Sequence, residues 1–337
     1  VGGVLIQTLS WHWIFFVNII VGAFVIPLSF RLLPSPAKGD TSSETLDFIG
    51  LALMSTGLVA ISYGLAEAGT YATFNDAHVY MPVLVGVVLV AGFVLRALRI
   101  EHPLLDLRLY GRMHFSAASI VMFALGAAVF GAMILMPLYW QDIRGFDVIK
   151  TGLLTGPQGL GMALTMPLAA KLTDRYGGGP VAFVGVVVTA LMTIPFALIG
   201  DHTSILALCL AMVARGAGMG ASFMPAMTAA FAALERHEIT HATPQLNVLN
   251  RIGGSIGTTI LAVVLVNAER HAHTAAGAAH AFGIAFWWSV ALAALAIIPC
   301  VVLMRAEAGV RRAAKSAGRQ DPDREAIDSG AVAEALV

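Results

Sequence analysis

Arg215 sits inside the long apolar run from Ile205 to Phe231. A charge at that depth costs several kcal/mol unless it meets a partner, a cavity or water. The guanidinium stays protonated at working pH, so its chemistry is electrostatic and it releases no proton itself. It either meets a bound molecule or a changing charge, or it is a buried arginine satisfied by carbonyls and nearby Gln or Asn. The sequence leaves both open. Gln158, Gln245, Asn247, Asn250 and Arg251 are the other polar positions on apolar runs and are candidates for a cavity wall. Asn250 and Arg251 lie near one end of their run, where they serve equally as anchors. Phe123, Phe130 and Met133, followed by Met136, Tyr139 and Trp140, offer the soft, adaptable surface that suits varied hydrophobic ligands. Tyr139 and Trp140 fall near a run's end and read more readily as an interface belt.

Other chemistry is sparse. Glu67, Asp142 and Asp147 sit at the ends of runs, and no carboxylate falls near the middle of the last six. His237, His241, His271, His273 and His280 read as solvated loop residues with spacing too loose for zinc. Cys209 and Cys300 lie within apolar runs, which argues against a disulfide framework. The glycine-rich stretches lack the Lys-Ser/Thr of a phosphate loop, and no catalytic triad or metal motif appears. The chain is therefore not read as an enzyme, and no cofactor or metal is expected. With zero formal net charge, no nucleic-acid partner is expected either.

Apolar residues make up 58% of the chain and charged residues 12%, too few to clothe a soluble fold of this length. Lipid removes that requirement, so the fold class is an all-α polytopic membrane protein. A spanning helix needs about 20 mostly apolar residues. One partial run, Val1–Leu9, and nine full ones meet this. The full runs are Ile14–Leu33, Phe48–Ala66, Val79–Leu98, Phe115–Leu138, Thr151–Ala170, Val181–Ile199, Ile205–Phe231, Val248–Val266 and Phe282–Met304. When the runs alternate, one set of loops holds only Arg144, Lys150 and Arg270, and the other set, with the tail, holds most remaining Lys and Arg. The positive-inside rule places that basic set, and the C-terminus, in the cytoplasm of a cell-membrane protein. The glycine sets Gly216, Gly218, Gly220 and Gly253, Gly254, Gly257 form nearly side-chain-free stretches that let helices approach closely. Pro157, Pro167, Pro195 and Pro225 are expected to kink runs near a cavity.

Three patterns carry a resemblance. Gly2-Gly3 followed by Trp11-His12-Trp13-Ile14-Phe15-Phe16 resembles the end of the antiporter motif in the fourteen-helix drug:proton antiporters of the major facilitator superfamily. His12 stands where that branch usually has Arg. Lys171-Leu172-Thr173-Asp174-Arg175-Tyr176-Gly177 is similar to the second copy of the superfamily's loop motif, with Ala170 and Gly178 departing from it. Arg215-Gly216-Ala217-Gly218-Met219-Gly220, Pro225 and Asn250-Arg251-Ile252-Gly253-Gly254-Ser255-Ile256-Gly257 resemble helices twelve and thirteen of the branch.

The resemblance implies a division into four parts. Residues 1–33 would close an N-terminal bundle as helices five and six, and 34–113 would hold two extra linker helices. Residues 114–304 would form a complete C-terminal six-helix bundle, and 305–337 a polar tail, weakly helical or disordered. Val1 in place of Met reads as a chain lacking its first four helices, so that alone it would not transport. The implied function is proton-coupled efflux of hydrophobic or amphipathic compounds, with the lipid bilayer, small hydrophobic substrates and protons as partners. Asp174, Arg175 and Gly177 would form a gating loop, and Asp174 could cap the next helix. The coupling carboxylate would lie on the missing helices. Alternatives are a dedicated metabolite or siderophore exporter, or a truncated membrane protein that does not transport. Oligomeric state is left open.

Overall fold

The computed structural model describes residues 12–32, 47–100, 104–200, 203–231, 234, 236–270, 272 and 274–319. Within these the chain forms helices α1 (Trp13–Leu32), α2 (Phe48–Tyr71), α3 (Ala77–Ala97), α4 (Met113–Leu138), α5 (Val148–Tyr176), α6 (Gly178–Leu191), α7 (Ile194–Ala197), α8 (Ile205–Phe231), α9 (Arg236–Glu269) and α10 (Ala275–Arg319). A 3-10 turn, Leu107–Gly111, precedes α4, and a π-helical turn, Tyr139–Ile143, extends it. Helix is the expected outcome in lipid, because it satisfies every backbone polar group within the segment. Aspartates fix three of the starts: Asp47, Asp76 and Asp147 accept the N–H groups of Gly50, His78 and Lys150 at 2.8, 2.9 and 3.1 Å.

Eight stretches among the described residues are long and apolar enough to cross a membrane. The remaining expected run, Thr151–Ala170, is helical but lies outside that set. It forms part of α5, whose apolar residues are interrupted by Thr151, Gly152, Thr155, Gly156, Gln158 and Gly159. The run expected over Val181–Ile199 is broken between α6 and α7 at Met192-Thr193, just before Pro195. His237 and His241 lie in the first turns of α9 and His280 in α10, not in loops as expected, because both helices begin well before their apolar stretches. Gly2, Gly3, His271 and His273 lie outside the described residues.

From α4 onward the helices pack through α4 with α9 and α10, and through α8 with α5 and α6. Small residues set these contacts. A Cβ at Gly253 would fall on the carbonyl oxygen of Phe123, and one at Gly257 on that of Ala127, so α9 lies directly on the backbone of α4. Gly216 meets the Gln158 carbonyl and Gly220 that of Met162, which seats α8 on α5, while Gly218 meets Thr189 on α6. Gly254 packs on the Phe130 ring. Two apolar cores fill the ends. One includes Phe115, Met122, Leu246 and Leu303, and the other Leu135, Trp140, Phe196 and Phe286. Tyr139 and Trp140 belong to the second core and are fully buried, so they are not the interface belt that their position near a run's end implied. The Tyr139 hydroxyl donates to the Gly200 carbonyl at 2.7 Å and accepts from Arg144 Nε at 2.9 Å.

Helices α2 and α3 pack on each other, and α2 rests on α9. Thr259 and Asn267 of α9 donate to the carbonyls of Leu65 and Ala72, each at 3.0 Å. Asp47 ties α2 and α3 together, accepting Arg96 Nε at 3.0 Å. Burial pushes the Asp47 carboxyl up, but the Gly50 N–H and the Arg96 guanidinium together outweigh it, and the net shift is downward. At the start of the six-helix group, Arg112 and Glu238 form a two-pronged ion pair at 2.7 and 2.9 Å, joining α4 to α9.

Helix α10 runs without a break past Met304 to Arg319. Glu307, 3% exposed, accepts the N–H groups of Gly178, at 3.0 Å, and of Gly179. It therefore supplies the anion at the positive end of α6. Asp174, the expected cap, sits exposed in the last turn of α5 instead. Gly177 between them has φ +101°, a conformation that needs glycine.

Three outcomes follow from this packing. Gly253→Ala should lower stability by about 1–3 kcal/mol, while Gly92→Ala, where a Cβ meets nothing, should not, as read by thermal unfolding in detergent. Glu307→Ala should cost about 1–3 kcal/mol by stranding two buried N–H groups, and Glu307→Gln, which keeps an acceptor, should cost less in the same assay. Because the Asp47 carboxyl is lowered on folding, its contribution is complete above its ordinary range, about pH 4, and is lost as pH falls through the lowered value. Asp47→Asn should flatten the acid limb of the stability curve.

Candidate functional site

A cavity of about 1010 Å³ opens between α4 and α5 and is backed by α8 and α9. Helix α4 contributes Val129, Phe130, Met133 and Pro137, and α8 contributes Met219 and Phe223. Helix α5 presents Val148, Thr151, Gly152, Thr155, Gly156, Gln158, Gly159 and Met162. Thr151, Gly152, Thr155, Gly156 and Gly159 follow the spacing of one helix face, so the substitution that makes α5 poor in apolar residues is also what hollows this wall. Small side chains make the space, while Phe130, Met133, Met162, Met219 and Phe223 give it a soft apolar lining. Asn250 is the only polar side chain that α9 brings to it. Asn250 Nδ2 donates to the Met122 carbonyl at 2.8 Å, which pins α9 to α4 beside the cavity.

Arg215 lies behind this wall and is 1% exposed. Its Nε donates to Thr193 Oγ1 at 3.1 Å and its Nη1 to Gln158 Oε1 at 3.3 Å. Nη2 is buried without a hydrogen-bond partner among the described residues. Gln158 in turn donates through Nε2 to the Met219 sulfur at 3.3 Å. The guanidinium thus reaches the cavity through Gln158, with no carboxylate on the cavity wall among the described residues. A positive charge held this way, in low dielectric, acts strongly on any charge brought into the space.

The other sequence candidates separate. Phe123 is half-buried and is used through its carbonyl, against Gly253. Asn247 and Arg251 are exposed, and Asn247 bonds back to the Thr243 carbonyl at 3.0 Å. None of these three lines the cavity. Gln245 is buried on the wall of a different cavity, beside α3. Met136 is buried in the core. Arg175 is exposed and lies over the Tyr176 ring at 5.3 Å. The sequence alone does not single out Thr193 or Glu307: Thr193 carries no signal beyond lying two residues before Pro195, and Glu307 falls in the polar tail. No group of three or more His, Cys, Asp or Glu suited to a metal ion occurs among the described residues.

Comparison with known proteins gives a consistent picture. Residues 1–258 match the sequence profile of the Major Facilitator Superfamily. The chain is 35% identical to the Multidrug resistance protein B homolog of Mycobacterium tuberculosis (strain ATCC 25618 / H37Rv), over 82% of the chain and 52% of the relative. It is 25% identical to the Lincomycin resistance protein LmrB of Listeria monocytogenes, over 81% of the chain and 57% of the relative. It is 24% identical to the Multidrug export protein EmrB of Haemophilus influenzae, over 81% and 54%. The chain spans about half the length of these relatives. With a profile match over more than half its length and helices throughout, the chain belongs to the Major Facilitator Superfamily.

Proposed function

We propose that the protein exports hydrophobic or amphipathic compounds across the cell membrane in exchange for protons. The observation that carries this reading is the cavity between α4 and α5, with its Met and Phe lining and a few polar side chains, among them Gln158 and Asn250. A large apolar space with few directional groups selects for lipophilicity and size more than for a particular structure. The names of the relatives, which speak of multidrug resistance and drug export, support the same reading.

In this mechanism Arg215 is the fixed charge of the six-helix half. Gln158 relays its field to the cavity and orients ligand acceptors. The coupling group must change charge at accessible pH, which Arg215 does not do. Among the described residues no carboxylate or histidine lines this cavity, and we place the proton carrier elsewhere in the transporter. Alternating access by rocking bundles needs a gate at the end where α5 meets α6. Asp174, Arg175 and Gly177 occupy that turn, and the basic residues at this end support a cytoplasmic orientation for it and for the C-terminus.

The test is accumulation of cationic and neutral dyes in cells lacking other pumps, with the full-length protein present. Efflux should be abolished by a protonophore, and unchanged accumulation across many dyes would refute the multidrug reading. Arg215→Ala should lose transport while inserting normally. Arg215→Lys should fail as well, since an ammonium cannot reproduce the fork that serves Thr193 and Gln158 together. Unimpaired efflux in both would leave Arg215 a structural residue.

A further inference from the structure

The large cavity has one electrical sign. Arg215 takes part in no ion pair among the described residues. Its partners, the Thr193 hydroxyl and the Gln158 amide, are both uncharged. Such groups solvate a guanidinium without cancelling its charge. Among the described residues that line the cavity, none carries a formal charge. The field of Arg215 therefore extends into a space of low dielectric where nothing on the wall opposes it.

The orientation of Gln158 adds to this. A guanidinium only donates, so the atom of Gln158 that meets it must be the oxygen. Oε1 accepts Nη1 at 3.3 Å, which turns Nε2 away from the guanidinium and onto the Met219 sulfur at 3.3 Å. Gln158 and Met219 both line the cavity, so the donor end of the amide lies on the cavity side. A thioether is a weak acceptor, and Nε2 holds a second N–H. Arg215 is itself too buried to touch a ligand, but the half-buried Gln158 carries its polarity to the wall. Asn250 and Thr155 do not reverse the sign. Each donates to a backbone carbonyl at 2.8 Å, and the oxygen either one leaves is the end of a dipole, not a charge.

We infer that this cavity prefers lipophilic anions to lipophilic cations of the same size, with Arg215 setting the preference and Gln158 presenting it at the wall. The inference rests on the export reading above and narrows it to a substrate class. A lipophilic anion brings an apolar body for the Met and Phe surfaces and a head group that accepts from Gln158 within the guanidinium's field. A cation on the same body meets an N–H donor and a like charge, the repulsive element that selectivity needs.

The test measures binding to the full-length protein in phosphatidylcholine nanodiscs, with empty discs subtracted. Three tritiated probes share one chain: dodecylsulfonate, dodecyl methyl sulfone and dodecyltrimethylammonium. The two ions keep their charge at every working pH, and the sulfone keeps acceptor oxygens without a charge. The sulfonate should bind about tenfold more tightly than the ammonium, with the sulfone between them. Gln158→Glu keeps an acceptor for Arg215 and adds a countercharge, and Arg215→Gln removes the charge; each should bring the sulfonate-to-ammonium ratio to one or below. The ratio is read within one preparation, so a fraction that fails to fold does not alter it. Equal or tighter binding of the ammonium by the unaltered protein would overturn the inference while leaving the export reading in place. A sulfone that binds as tightly as the sulfonate would overturn it too, since hydrogen bonding alone would then account for the order, as would a sulfonate preference that survives in either variant. If no probe binds above empty discs and no dye is exported, the export reading itself fails and takes this inference with it.

Discussion

In a bilayer, two apolar helices gain little by leaving lipid for each other, because lipid tails are as apolar as leucine. Their association rests on close contact and hydrogen bonds. Here the contact is made where side chains are missing. Gly253 and Gly257 lay α9 on the carbonyls of α4, and Gly216 and Gly220 lay α8 on those of α5. The two glycine-rich helices do not chiefly serve each other; each is seated on a different partner. Polar contacts reinforce the α4–α9 seam, as with Asn250 on the Met122 carbonyl and Arg112 on Glu238.

The same geometry places the charge. Gln158 meets α8 three times: its carbonyl lies against Gly216, and its side chain accepts from Arg215 and donates to the Met219 sulfur. Close approach of the backbones therefore sets how far the guanidinium can reach. Thr193 completes the arrangement from the break between α6 and α7, where the interrupted helix brings a hydroxyl to Arg215 Nε. Packing and electrostatics are thus coupled at one residue.

The helical architecture and superfamily were legible because apolar run length and local motifs are properties of contiguous residues. Arg215 was legible too, since a charge in an apolar run announces itself. What stayed hidden depended on distant partners. Nothing in the stretch near Glu307 shows that its carboxylate closes α6, 128 residues away in sequence. The sorting of polar candidates was hidden for the same reason. Gln158 and Asn250 share the large cavity while Gln245 faces another, and neighbouring positions on α9 diverge because a helix turns each residue to a different side. Tyr139 and Trp140 read as interface residues until a π-helical turn carried them into the core.

The composition of α5 bears on how the protein is made. A segment enters the bilayer from the translocon according to its apolarity, and α5 alone among the long helices of the six-helix group falls outside the set apolar enough to cross unaided. On one side of α5, Gly161 is covered by α8, where the Val213 carbonyl lies against it, and α8 is synthesised later. During synthesis α5 is therefore the helix whose place in the membrane is secured by residues the ribosome has not yet reached.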